Sequence, residues 1–479
     1  MSKDIRKKMK RRTADQMKAM PSTDPEYDNF HEEVCAYALN DAALCYELWE
    51  KFGKKWPQFE RDLSEQTMSI CYAGLPVDVE GLEKDREHLA RIVWEAKKKI
   101  PWWRGEDNDV ALSLPELHKA CREAGIEAPK STAKDSEECP EWEDKYAAQY
   151  PWVGAMRTVR RSGRLLSGTE TILKRTHDGR FNFGLKYGGA HTLRWSGDSG
   201  FNVQNFSKEP YEGIDLRGRI KAEPGMKLVI MDLTQIEARV TPYLAGDERT
   251  VNLMRDGMNV YEVHARTSGM YDAATPLKTT DKKTYALAKA RVLALGFGCG
   301  PDKFQSMARL PAYGSLELDL PFCKKTVKDF RDRNPKVVNL WNRLERGMYE
   351  SMGDKFEVEL PSGRNLSYRD VQMRPSKRKG KSDELSARVT INGPLYGWWG
   401  GPIFENAVQA TARDLFANGL LNLEKAGYDI LFHVHDEVIL HVPMDADVKE
   451  IERIFTTPPD GAPDFPLAAE SQESQVYLK

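Results

Sequence analysis

The chain has 479 residues, 40% of them hydrophobic and 30% charged, with 71 basic against 73 acidic side chains. That is enough apolar material for about two to four packed units at ~150 residues each, and the charge is too evenly balanced to announce a polyanion partner, so any nucleic-acid surface must come from local basic patches. Seven cysteines, with no CxxC spacing, support neither a zinc site nor a disulfide framework, and a reducing, cytoplasmic compartment is the simpler expectation.

The N-terminus, MSKDIRKKMKRRT, is basic and lacks an apolar core, so it does not read as a secretory signal. No stretch is long and apolar enough to span a membrane. Residues 1 to about 28 read as a solvated arm. Residues 30 to 52 have helical periodicity. Residues 58 to 100 continue helical, interrupted at AGLPVD, where Gly74 and Pro76 mark a turn. Residues 101 to 150 are expected to form loops and short helices. VGAMRTVRRSGRLLSGTETILKR (153 to 175) reads as a basic helix. Residues 181 to 206 are turn-rich and strand-like, KLVIMDL (227 to 233) is a strand, and 234 to 350 are mainly helical. Residues 355 to 410 mix short strands with a solvated loop, KRKGK (377 to 381). A helix over about 405 to 426 precedes a strand-like segment and a Pro-rich tail, and no internal repeat is present.

Chemistry concentrates in two apolar segments. In LFHVHDEVILHV, Asp436 and Glu437 sit side by side among residues that prefer strands. Adjacent anions near a hydrophobic layer are costly to bury unpaired. In LVIMDL a second apolar run ends on Asp232, at what would be the rim of a sheet. If the two strands are neighbours, their carboxylates share one pocket. Magnesium, held by one or two carboxylates and substrate phosphates, would supply the missing charge. Either aspartate alone would read as an ordinary turn former.

Read together, these segments resemble the DNA polymerase I family, family A. DLTQIEAR resembles the family's first palm motif and VHDE its third, at the tip of a hairpin. KARVLALGFG (289 to 298) resembles the fingers-helix motif, and HTLRWSGDSGFNVQNF (191 to 206) the primer-template motif. ENAVQATARD (405 to 414) looks bacteriophage-like. Five motifs in family order over roughly residues 60 to 479 make a specific match.

The resemblance implies an α+β right-hand fold, with an antiparallel palm sheet, helical fingers and a helical thumb. Residues 1–54 would be the arm and a remnant of a 3′–5′ exonuclease-like domain, 55–179 the thumb, 180–255 and 350–479 the palm, and 256–349 the fingers. The implied activity is templated addition of deoxynucleotides to a primer 3′-hydroxyl by phosphoryl transfer, with two Mg2+ ions for which Mn2+ can substitute. Primer-template DNA and deoxynucleoside triphosphates are the implied partners.

Residue by residue, the resemblance assigns Asp232, Asp436 and the carbonyl of Leu233 to the metals, with Glu437 tuning them. Glu237 resembles the gate that excludes a ribose 2′-hydroxyl, and Gln235 and Arg239 share its turn. By position, Arg239 is expected to be structural and to pair with an acid. Lys289 would bind the triphosphate. The Arg expected four residues earlier is Tyr285, and Lys282, seven before Lys289, would substitute from the same helix face. His264 matches a phosphate-contacting position. Leu293 replaces an aromatic residue beside the incoming sugar, and Phe297 would stack near the templating base. Arg194, Gln204, Asn205, Gln409 and His435 would contact primer-template, although the motif's usual Gly is Leu193 here. Arg157, Arg160, Arg161 and Arg164 would meet phosphates from the thumb, an expectation balanced against a merely solvated helix face.

YALND (37 to 41) resembles the last exonuclease motif, but Asp41 alone cannot assemble a two-metal site. The chain is expected to lack proofreading by itself, either as a fragment or with a separate exonuclease subunit. A catalytically silent DNA-binding scaffold and a metal-dependent nuclease are the competing readings.

Overall fold

A computed structural model describes residues 27–105, 109–132, 138–207, 209–376 and 382–478. The basic arm, up to residue 26, and the KRKGK loop lie outside the described residues. Contacts divide the chain into two units, Met1–Glu65 and Gln66–Lys479. The first holds α1 (Tyr27–Phe52), the helix expected from periodicity, and the start of α2 (Gln58–Ala73).

In the second unit, Gly74 ends α2 in the left-handed region, at φ 72°. The chain then enters α3 (Val79–Lys97). The short helices expected next are α4 (Leu114–Ala124) and α5 (Glu138–Tyr146), and the basic helix is α6 (Pro151–Lys174). α3 packs on α6. Val153, Met156 and Val159 recur on one face of α6 and meet Trp102, Leu117, Cys121 and Trp142 in a core.

This packing gives two of the arginines acidic partners within the fold. Arg157 lies 2.7 Å from Asp144, and Arg160 pairs with Glu143. Glu143 is only 4% exposed, and a buried carboxylate demands a cation. Both guanidiniums are therefore engaged in the helix packing in this structure.

Next come β1 (Met226–Leu233), α7 (Ile236–Leu244), α8 (Glu248–Arg255), α9 (Val260–Thr267), α10 (Leu277–Thr280) and α11 (Lys282–Leu295). α12 (Pro301–Ala308), α13 (Leu320–Arg333) and α14 (Pro335–Glu350) complete the helical region. The segment after residue 355 forms a four-stranded antiparallel sheet from β2 (Phe356–Glu359), β3 (Asn365–Pro375), β4 (Asp383–Arg388) and β5 (Tyr396–Trp398), in the order β5–β4–β3–β2.

α15 (Gly400–Lys425) starts earlier than the expected residue 405. Its first turn holds Gly400 and Gly401, poor helix formers by propensity. Packing overrides that preference: a Cβ on Gly400 would meet the Trp341 carbonyl, and one on Gly401 the Phe297 carbonyl.

β6 (Asp429–Val434) and β7 (Glu437–Pro443) form a hairpin, and the chain closes with α16 (Val448–Phe455) and β8 (Ala469–Ser474). The central sheet runs β6–β7–β1–β8, antiparallel throughout. The segment after the Pro-rich stretch thus adds an edge strand to the sheet. β1 is buried from Lys227 to Met231, as a strand covered on both faces should be. On α15, the Phe416 ring lies 5.6 Å from His433 of β6 and 5.9 Å from Phe455 of α16. On β6, Phe432 meets Tyr477 at 5.2 Å. Among the described residues, no helix is long and apolar enough to cross a membrane.

Candidate active site

The two apolar segments are neighbours. Asp232 of β1 pairs in register with Glu437 of β7, and the Leu233 amide donates to the Asp436 carbonyl at 3.0 Å. The carboxylates 204 positions apart in sequence therefore come from adjacent strand ends. His435 and Asp436 form the two-residue loop of the hairpin, with Val434 opposite Glu437. His435 takes φ 58°, as short hairpin loops require at a central position. Gln235, just past the end of β1, takes φ 54°. Two side-chain-bearing residues in left-handed backbone beside one carboxylate pair are strain held at a site by its surroundings.

The carboxylates differ in exposure. Asp232 and Asp436 are half-buried, whereas Glu437 is buried and accepts a 2.5 Å hydrogen bond from the Tyr477 hydroxyl. Burial, together with Glu437 and Asp232 nearby, raises the Tyr477 phenol above its usual range, so it is a donor at neutral pH.

Three cavities gather several of the other expected residues. A small one, ≈ 20 Å³, joins Arg194, Gln204, His435 and Asp436, together with Arg413 and Trp195. A cleft of ≈ 540 Å³ joins Glu237, Leu293 and Phe297. A groove of ≈ 990 Å³ joins Arg161, Arg164 and Asn205 with Phe201, Phe206 and Tyr211. Basic and aromatic side chains along one groove suit a phosphate backbone with stacked bases.

Glu237 and Arg194 form an ion pair with both partners about one-third exposed. Pairs so exposed contribute about 0–1 kcal/mol, so this one opens at little cost. Gln235 turns its amide oxygen to the Val260 amide at 3.3 Å, tying the β1 turn to α9. Gln409 donates to Glu405 at 3.4 Å. Lys282 and Lys289 sit two turns apart on one uninterrupted helix, α11, with Lys282 exposed and Lys289 half-buried, and neither lines the cleft.

Two of the expected residues have surroundings that the sequence did not show. His264 is buried with its ring 5.5 Å from Phe330. Burial, aided by Arg291 nearby, lowers its pKa to about 3, so in this conformation it brings no charge to a phosphate. Among the described residues Arg239 pairs with no acid: it donates to the carbonyls of Thr234 at 2.8 Å and Pro466 at 3.0 Å. It closes the β1–α7 turn onto the segment before β8.

Sequence reading missed Lys303, Tyr313, Trp399 and Glu405 in the cleft, and Arg413 and Tyr477 near the hairpin. Burial, with Glu237 nearby, raises the Glu405 carboxyl. Only the spacing of Glu405 and Gln409, one helical turn apart, carried a signal.

Leu193 holds φ 63° where the resembled motif has glycine. An L-residue there costs about 1–2 kcal/mol, part of which glycine returns as unfolded-state entropy. Leu193→Gly is expected to stabilise the fold by about 1 kcal/mol. A denaturant midpoint that stays put or falls would contradict this.

The family model described as DNA polymerase family A matches residues 144–459. The chain belongs to DNA polymerase family A. It is 27% identical to a DNA polymerase of Bacillus phage SP02, over 96% of this chain and 76% of the phage protein. It is 24% identical to DNA polymerase I of Chloroflexus aurantiacus, over 88% of this chain and 44% of that protein, so it spans under half of the bacterial enzyme. A solved polymerase domain of Pol1 from M. smegmatis, in complex with DNA primer-template and dNTP, superposes with a TM-score of 0.63. That likeness covers 88% of this chain and 70% of the other at 17% identity, and it shows the right-hand polymerase fold. Family and relatives together make the chain a DNA polymerase.

Proposed function

We propose that Asp232 and Asp436 form the metal-binding centre at which this family A polymerase joins a deoxynucleotide to a primer 3′-hydroxyl. The observation that carries the reading is the side-by-side placement of the two strand ends, Asp232 opposite Glu437 and Leu233 bonded to Asp436. Among the described residues no three His, Cys, Asp or Glu side chains cluster as a metal site. Two half-exposed aspartates are an oxygen-only donor set. They fit Mg2+, which takes one or two carboxylates and fills its sphere with substrate phosphates and water; Mn2+ fits the same donors. Bound there, the ions would supply positive charge to the attacking and leaving oxygens.

The protein's own residues position the reactants. Arg194, Gln204 and His435 surround the hairpin tip and would hold the primer end, and Gln409 would test base-pair shape from the minor groove. Glu237, Leu293 and Phe297 would shape the cleft around the incoming sugar and base. Lys289, with Lys282, would bind the triphosphate as point charges. The 3′-oxygen bonds to the α-phosphorus, the bond to pyrophosphate breaks and pyrophosphate leaves, and the hydroxyl proton passes to solvent water. Alignment of reactants carries much of such a step. Arg161, Arg164 and Asn205 would follow the duplex backbone along the large groove.

In this reading residues 180–255 and 350–479 are the palm, 256–349 the fingers and 55–179 the thumb. All four strands of the central sheet then fall in the palm. Tyr37 and Asp41 lie one turn apart on α1, and a separate exonuclease subunit rests on that motif alone.

Primer extension on a primed template, with magnesium and four deoxynucleotides, tests the reading. Products that follow the template support it. A folded, DNA-binding protein that extends nothing overturns it in favour of a scaffold. Leu293 adds a selectivity prediction. It has no hydroxyl to replace the 3′-hydroxyl missing from a dideoxynucleotide, so wild type should discriminate against terminators and Leu293→Tyr should accept them about five- to tenfold better, the ~1–1.5 kcal/mol of one hydrogen bond. Equal termination by the two proteins would refute this.

A further inference from the structure

We infer that Tyr477, two residues before the last, is a positioning residue of the active site, acting through Glu437. The inference rests on the polymerase reading for its kinetic test but on geometry for its origin. Tyr477 is fully buried. Its hydroxyl donates to Glu437 Oε1 at 2.5 Å, and its amide donates to the Ile220 carbonyl at 3.0 Å. The Arg217 guanidinium stands over its ring at 4.7 Å, and the ring packs on Phe432 at 5.2 Å. The phenol is thus fixed on three sides: by the 217–220 segment, by β6 and by the first residue of β7.

Glu437 is where that rigidity meets the chemistry. It follows Asp436 in the chain and stands opposite Asp232 across the sheet. At 3% exposure, its carboxylate cannot be left to water. A short charge-assisted hydrogen bond from a fixed phenol holds it in one orientation. Holding Glu437 holds the start of β7, and with it the two-residue loop that carries Asp436. Tyr477 therefore sets how far apart the Asp232 and Asp436 carboxylates stand, without touching substrate. The C-terminal segment acts as a strut beneath the active-site hairpin.

Tyr477→Phe removes only the hydroxyl and keeps the ring on Phe432 and Arg217. In primer extension it should lower kcat by about tenfold or more while leaving KM for deoxynucleotide within about twofold, because a misplaced aspartate costs the transition state and not ground-state binding. Mn2+ binding to the protein alone, followed by electron paramagnetic resonance, should weaken by at least about threefold, since the donor spacing is set before DNA arrives. On a Glu437→Gln background, Tyr477→Phe should change kcat less than about twofold, because the two groups act as one unit. Unchanged kcat and Mn2+ affinity in Tyr477→Phe would overturn the inference. So would a kcat loss that tracks a lowered melting temperature and a raised KM, which marks general structural damage. If wild type extends no primer, the polymerase reading falls, and the Mn2+ titration still decides the role of Tyr477.

Discussion

Asp436→Asn and Asp232→Asn should each lower primer extension by about 10³-fold or more, equivalent to about 4 kcal/mol of lost transition-state stabilisation. Asparagine keeps the shape and removes the charge. Both aspartates are half-buried, so water still reaches the site, and an isosteric change there is expected to leave the fold intact. Primer-template affinity should change little, since the proposed phosphate contacts are in the basic groove and not at the acids. The measurement is single-turnover extension beside a DNA-binding titration on the same preparations. Retention of more than about a tenth of wild-type rate by either variant would place the metal centre elsewhere. Loss of extension in only one variant would reduce the pair to a single essential acid.

Glu237→Ala should admit ribonucleotides. The side chain lines the cleft with Leu293 and Phe297, on the first turn of the helix that follows Asp232. A clash with a 2′-hydroxyl in a packed site costs about 1–3 kcal/mol, so removing the carboxylate should narrow discrimination by on the order of 10- to 100-fold. The same substitution takes away the partner of Arg194, whose guanidinium would then be available to the primer. Deoxynucleotide incorporation should therefore fall much less than discrimination does. Competition between ribo- and deoxynucleotides at a single template position measures both. Unaltered discrimination would show that Glu237 serves Arg194 only, as a structural partner.

Local patterning made much of the architecture legible. α1, α3 and α6 follow from apolar periodicity, the break at Gly74 from turn chemistry, and β1 from an unbroken apolar run. β8 escaped because AESQES is polar and its residues are mostly exposed, so no alternation marks this edge strand. The early start of α15 escaped because two glycines argue against helix unless close backbone packing is known.

The site divides in the same way. Asp232, Asp436, Glu237 and the fingers lysine are marked by motif and by the cost of placing acids in apolar runs. His264 and Arg157 could not be judged from sequence, because one helical position looks the same whether a ring or an acid covers it. Burial neutralises His264, and the neighbouring Glu143 and Asp144 occupy Arg157.

By itself the sequence determined the element types, the motif order and the identities of the acids, because these depend on neighbours a few residues away. Tertiary structure decided which charges face a cavity and which are spent on one another, and that a tyrosine 40 residues after Glu437 holds the site. Charge pairing and burial act over a few ångströms of space, whatever the distance along the chain, and only the folded sheet brings Asp232, Glu437 and Tyr477 within that range.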